Sequence, residues 1–219
     1  MSNKISINTK EIPFQDRYKL LIGSIVPRPI GFISTISKDG IYNLAPFSFF
    51  NGVSSEPMAV LFMPVIRSSD GQEKDTLKNV KATKEFVVNI VSEEFAEKMN
   101  QCSAEYPPNI DEFKESGLTP EPSKIVKPPR VQEAKVNMEC KLIQTVEIGN
   151  KPGGATVVIG EVVYFHVRED VYQDGKIILN KLKPIGRLGG TEYCRVTDIF
   201  SLPRPSIKPQ IPVGENPGK

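Results

Sequence analysis

Lys74-Asp75-Thr76 stands just before apolar residues at helical spacing, Leu77 and Val80, and a helix start of this composition suits an anion. The first amides of a helix are unpaired and carry partial positive charge. Thr76 and the amides after it, with Lys74 as a point charge, therefore form a phosphate-sized site. Asp75 is the awkward member, because a carboxylate repels a phosphate. It is expected to cap the helix and turn away. Taken alone, the same residues read as an ordinary capped surface helix with a solvated lysine. A second group is Asn43-Leu44-Ala45-Pro46-Phe47-Ser48. Pro46 has no N–H to give a strand ladder, which leaves neighbouring backbone groups free for a ligand, and Ala45 and Ser48 are small enough to let one approach. Ser34 and Thr35 offer hydroxyls, although β-propensity and local hydrogen bonds account for such residues equally well. His166 is the single histidine and shares an alternating face with Tyr164 and Arg168. A lone histidine is more often structural than functional. Arg187 and Gly189-Gly190 read either as a glycine turn or as a loop that attracts phosphate, with Tyr193 close behind.

Other chemistries are disfavoured. Cys102, Cys140 and Cys194 are odd in number and far apart, and one histidine cannot complete a metal shell, so no metal site is expected. The three thiols read as small buried groups in a reducing compartment. Lys and Arg number 28 against 26 Asp and Glu, which leaves no electrostatic footprint for nucleic acid or an anionic membrane. A β-barrel nucleic-acid module would want a basic groove with stacking aromatics, and there is no Trp. The start lacks the basic and apolar regions of a signal peptide, and the longest apolar stretches, 58–66 and 157–167, are too short for a membrane helix. A cytoplasmic protein with a small-molecule partner is the expectation.

The elements that must position these groups are mostly strands. Ile30 to Ile36 is apolar and β-branched, Ser37-Lys38-Asp39-Gly40 suits a tight hairpin, and Ile41 to Ser48 returns. Met58 to Met63 and Glu85 to Val91 read as buried strands. Between them lies a short helix from Asp75, with Lys78, Lys81 and Lys84 outward. A second helix follows Ser92, carrying a Phe95, Met99, Cys102 stripe. Residues 104–129 read as a surface excursion with a helical turn near Asp111 to Ser116. Strand character resumes at Arg130 to Glu147 and is strongest at Ala155 to Arg168, which is apolar on both alternating faces. Such a strand must be covered on both, and a dimer partner could supply the second layer. Glu192 to Leu202 gives a last strand. The count is about seven strands and two short helices, antiparallel, mainly β, in one domain over 1–205 with a proline-rich tail at 206–219. No Gly-x-Gly-x-x-Gly opens a helix after a strand, so the usual dinucleotide fingerprint is missing.

Pro27-Arg28-Pro29-Ile30, Ser34-Thr35, Asn43 to Phe50, Lys74-Asp75-Thr76, Glu85 to Asn89 and Gly186 to Gly190, in this order, resemble the flavin reductase family with an FMN-binding split β-barrel. Within it the chain is similar to flavoredoxin-like proteins and to the small component of nitrilotriacetate monooxygenase. The resemblance implies a homodimeric antiparallel split barrel that binds FMN and takes hydride from NADH or NADPH. It implies FMN phosphate at Lys74, Asp75 and Thr76, ribityl hydroxyls at Ser34 and Thr35, and the ring edge along Asn43, Ala45, Pro46, Phe47 and Ser48. Arg187 and Gly189 would close over the flavin, where Tyr193 stacks or hydrogen-bonds, and His166 would lie toward the nicotinamide. His166 and Tyr193 are thus the candidate catalytic side chains. Hydride transfer between stacked rings asks the protein for position and electrostatics more than for an acid or base. Two functions follow: a flavin reductase, which can serve a separate monooxygenase component, or an FMN-holding redox carrier with little NAD(P)H activity.

Overall fold

The computed structural model describes residues 3–206. Its first element, α1 (Phe14–Ser24), was not foreseen. Only Ile22 of this helix is buried, while Phe14, Tyr18, Leu20 and Leu21 are exposed, so no apolar stripe announces it. The hairpin of β1 (Gly31–Ile36) and β2 (Tyr42–Phe47) forms as expected, with Gly40 in the turn at φ 84°. β3 (Phe50–Ser55) pairs with β4 (Met58–Phe62). β4 matches the expected strand over 58–63, whereas β3 was not expected, because Asn51, Gly52, Ser54 and Ser55 hide its strand character. Then follow α2 (Asp75–Thr83) and β5 (Glu85–Ile90). A single 3-10 turn leads into α3 (Ala96–Gln101), where Phe95, Met99 and Cys102 are all buried as the stripe requires. α4 (Glu112–Ser116), β6 (Pro120–Glu121) and β7 (Arg130–Val131) precede the long hairpin of β8 (Val136–Ile148) and β9 (Ala155–Val167). Short pieces complete the described chain: β10 (Tyr172–Gln173), β11 (Lys176–Ile177), α5 (Leu179–Leu182), β12 (Ile185–Arg187) and β13 (Tyr193–Arg195).

Seven strands form one antiparallel sheet in the order β2-β1-β5-β8-β9-β4-β3. Its two edges, β2 and β3, are separated in sequence by only Ser48 and Phe49, so the sheet must roll until its edges meet. Ile33, Phe47, Phe62, Phe86, Val88, Cys140 and Val158 fill the interior, and Leu77 and Val80 of α2 plug one end. Burying each such side chain stabilises by about 1.5 to 3 kcal/mol. Gly160 leaves room for the Phe86 ring: a Cβ there would lie 2.3 Å from it.

The outer face of β1, β2 and β5 carries a second cluster, in which Phe32 and Leu44 pack against Phe95, Met99, Phe113 and Leu118 from the region of α3 and α4. Residues 104–129 are therefore not merely a surface excursion; they cover the sheet. Polar side chains on that face anchor them. Glu139 accepts from the N–H groups of Lys124, Ile125 and Val126 at 2.6, 2.6 and 3.0 Å. Asn89 accepts from Val131 N–H at 2.9 Å, and the Ser34 hydroxyl donates to the Pro129 carbonyl.

Several expectations need correction. The strand expected over 130–147 is broken between β7 and β8, and that expected over 192–202 shrinks to β13. Five α-helices, not two, occur among the described residues. β9 does not alternate throughout, because a bulge at Val163 breaks its register with β8; a second irregularity, at Ile143, lies in β8. Save for Ser206, the tail at 206–219 lies outside the described residues. Among the described residues no helix is long and apolar enough to cross a membrane.

Candidate functional site

A cleft opens where the β1–β2 hairpin meets the start of α2. Alternation along β2 directs Asn43, Ala45 and Phe47 to the barrel side and Leu44 to the outer cluster. Asn43, Ala45, Pro46 and Phe47 line the cleft together with Lys74, Asp75 and Thr76, while Arg67, Cys102 to Tyr106 and Glu112 form the remaining walls. Its enclosed volume is about 70 Å³, well below the roughly 300 to 1,000 Å³ of pockets that swallow a whole ligand. A hydrogen bond of 2.6 Å from the Ser69 hydroxyl to Glu105 joins the two walls.

The start of α2 has no side-chain cap. Asp75 was expected to cap it and does not; its carboxylate is 2.9 Å from Lys78 and 3.6 Å from Arg67, which hold it sideways. Lys74 takes no part in these pairs; Leu77 N–H already donates to the Lys74 carbonyl at 3.0 Å, which leaves the N–H groups of Asp75 and Thr76 as the orphan donors of the first turn. The Thr76 hydroxyl donates to Asn43 Oδ1 at 2.7 Å. The same oxygen accepts from Thr35 at 3.1 Å, and Asn43 Nδ2 donates to Glu112 at 2.9 Å. Burial pushes the Glu112 carboxyl above its ordinary value, against the opposing pull of its hydrogen bonds with Leu44 N–H and Asn43.

β2 is an edge strand, and its free donors are fewer than Pro46 suggested. Leu44 N–H points away from β1, to Glu112 at 3.0 Å. Antiparallel alternation then places the N–H groups of Asn43, Ala45 and Phe47 in the ladder with β1, and Pro46 has none. Between Asn43 and Phe47 the outward edge thus presents carbonyls. The Phe47 ring is also withdrawn, packed at a tilt against Phe62 with centroids 5.1 Å apart.

The remaining candidates lie elsewhere. Ser34 and Thr35 are neighbours on a strand and face opposite sides of it: Thr35 backs the cleft through Asn43, whereas Ser34 ties down residue 129 on the far side. Ser48 accepts from Arg28 Nε at 3.3 Å, beside the cleft. Arg187 stacks on Tyr193 with its guanidinium carbon 4.5 Å from the ring centroid, and its second partner is the Gly190 carbonyl, in the turn that includes Gly189. Tyr193 reaches Asn100 at 3.1 Å, one turn of α3 from the cleft wall at Cys102 and Ser103. His166 is not among the residues that line the cleft. It contacts Glu139 at 2.6 Å and its ring lies 4.8 Å from that of Tyr164. Burial alone would raise the Glu139 carboxyl; the three amides and His166 outweigh it and hold it below the ordinary range. Arg67 and Glu112 were not foreseen. Arg67 sits in an irregular loop with no periodicity, but Glu112 had a signal, an acidic residue in a predicted helical turn that must dock somewhere.

The chain matches the family described as flavin reductase like domain over residues 22–181. It is 52% identical over 188 residues to an uncharacterized protein of Aquifex aeolicus, covering 85% of this chain and 93% of that one. Among solved structures, nitrilotriacetate monooxygenase component B from Bacillus cereus superposes with a TM-score of 0.88 at 39% identity, covering 92% of this chain and 100% of that one. The 2-nitrobenzoate 2-nitroreductase of Pseudomonas fluorescens superposes with a TM-score of 0.83 at 31% identity, covering 94% and 100%. The matched stretch contains the whole seven-stranded sheet and every wall of the cleft: this chain belongs to the flavin reductase-like domain family.

Proposed function

We propose that the protein is an NAD(P)H-dependent FMN reductase whose cleft holds the phosphate end of the flavin. The observation that carries this reading is the uncapped start of α2, with Lys74 beside it, opening onto a cleft floored by Ala45 and Pro46. The fit is good for a phosphate and poor for a buried ring. A phosphate meets orphan amides, Lys74 and Thr76, and the enclosed space matches its size rather than that of three fused rings. The ring would extend outward past Ala45 toward Ser48, where β2 ends. Lys74, Thr76 and the helix amides bind, Asn43 and Thr35 orient Thr76, and the segment 102–106 excludes water from the phosphate. When bound, the flavin supplies the redox chemistry, and the protein supplies position and charge.

The Bacillus cereus relative is named as a monooxygenase component, which supports delivery of reduced flavin to a separate monooxygenase. A homodimer is part of the same reading. Ile143, Val146 and Ile148 on β8 are 48%, 41% and 58% exposed, and a second copy is the economical cover for them. The test is to mix purified protein with NADH or NADPH and excess FMN while following nicotinamide absorbance. Rapid FMN-dependent oxidation is expected. Tight FMN binding without nicotinamide oxidation would instead identify a redox carrier.

A further inference from the structure

Glu112 is 7% exposed, yet both carboxylate oxygens are engaged at the cleft wall: one accepts from Asn43 Nδ2 at 2.9 Å, the other from Leu44 N–H at 3.0 Å. While the carboxylate is ionised, Asn43 must keep its amide nitrogen toward Glu112 and its oxygen toward Thr76. The Thr76 proton is consequently spent on Asn43, and the hydroxyl turns lone pairs to the cleft. That is the wrong polarity for a phosphate. Protonation reverses the chain of donors. Leu44 N–H is fixed backbone and claims the one oxygen that remains an acceptor, so the new O–H faces Asn43. Asn43 then has to present its oxygen to Glu112 and its nitrogen to the Thr76 and Thr35 hydroxyls, both of which donate to its oxygen in the ionised state; Thr35 accepts from Asn43 as it already does from Asn79, and the Thr76 proton becomes free.

We propose that Glu112 is a positioning residue for the flavin phosphate: through Asn43 it sets the direction of the Thr76 hydroxyl, and its protonation releases that hydroxyl to donate into the cleft. This rests on the reading of the cleft as a phosphate site. Charge acts in the same sense, since binding an anion beside a buried carboxylate favours the protonated acid. Burial already raises the Glu112 carboxyl in the free protein.

The other ionisable groups around Glu112 do not compete for its oxygens. From α2 and the loop before it, Asp75 is paired with Lys78 and Arg67, and Lys74 stands at the helix start. Glu105 accepts from Ser69, and Asp111 accepts from Phe113 N–H as the cap of α4. Asp39, from the hairpin turn, lines the cavity on the far side of Asn43 and Glu112. Cys102, which touches the Glu112 carbonyl, has its thiol pushed up by burial to about 11.

Glu112→Gln mimics the protonated acid, because its oxygen must go to Leu44 N–H and its nitrogen to Asn43. At pH 8 the variant should bind FMN about tenfold tighter than wild type, the size of one charge-assisted hydrogen bond, with riboflavin unchanged. The advantage should shrink as pH is lowered and wild-type Glu112 takes up its proton. Equal or weaker FMN binding by the variant, or equal losses for FMN and riboflavin, would overturn the proposal. If the variant does not fold, the wild type decides by calorimetry at pH 7 in two buffers of different ionisation enthalpy. There FMN is already about nine-tenths dianionic. Net proton uptake with FMN and none with riboflavin is expected, and no uptake refutes the role of Glu112. Failure of the wild type to bind FMN at all would instead sink the flavin reading itself.

Discussion

Lys74 and Thr76 are the side chains on which the phosphate reading can be broken one at a time. Lys74→Ala and Thr76→Ala should each weaken FMN by about tenfold or more, with riboflavin changed less than about twofold, since only FMN carries the phosphate proposed to lie there. Equal losses for both ligands in a fluorescence titration would show that the phosphate lies elsewhere. Glu139 has a different task, the attachment of residues 124–126 to the sheet. Its folded value lies below the ordinary one, so its ionised form stabilises the fold above about pH 4.3, and that contribution is lost as pH falls through the lower folded value. Glu139→Gln puts an amide nitrogen against N–H donors and should lower stability at pH 7 by about 2 to 3 kcal/mol. It should also flatten the acid limb of stability measured by urea unfolding across pH. At this scale the sequence was half legible. Thr76 and Asn43 were identifiable by type, whereas Ser34 and Thr35, expected to serve one ligand together, turn to opposite faces of β1. The Asn43 to Glu112 bond was not legible, because it joins residues far apart in the chain through a segment without periodicity.

The β1–β2 hairpin was legible as an element because Asp39-Gly40 fixes its turn and β-branched residues fill β1. The stripe of Phe95, Met99 and Cys102 was legible for the matching reason, period 3.6. α1 was not, since its apolar residues point outward and leave no buried face to produce a pattern. β3 was hidden by its polar composition and is recognised only through its ladder with β4. The rolled sheet depends on Gly160, where the space of a side chain is taken by the ring of Phe86 from β5, two strands away in the same sheet. Gly160→Ala should therefore destabilise by about 1 to 3 kcal/mol through overpacking, read as a lower urea midpoint with unchanged slope. An unchanged midpoint would mean that the Phe86 ring has room to move. The same substitution should leave the ratio of FMN to riboflavin affinity intact, because the proposed phosphate site is built from α2 and β2 rather than from β9.

As a whole molecule the barrel has one face that its own helices do not cover. Ile143, Val146 and Ile148 project from β8 with no layer over them, and α1 adds Tyr18 and Leu21, exposed at 47% and 48%. Sedimentation in dilute solution should give twice the chain mass, and Ile143→Asp should shift it toward the monomer with the barrel still folded. A wild-type monomer would contradict the dimer. The β-rich, antiparallel architecture was legible from strand count and hairpin signals, but the edge-to-edge closure was not, because it follows from β2 and β3 being neighbours in sequence and opposite edges of the sheet. The proposed activity requires the cleft at the start of α2 to be a flavin phosphate site. Its most direct test is an equilibrium titration of the apo wild-type protein with FMN and, in parallel, with riboflavin. Saturable FMN binding at micromolar concentration, with riboflavin at least tenfold weaker, is the predicted result; no FMN binding, or equal affinity for the two, would contradict it.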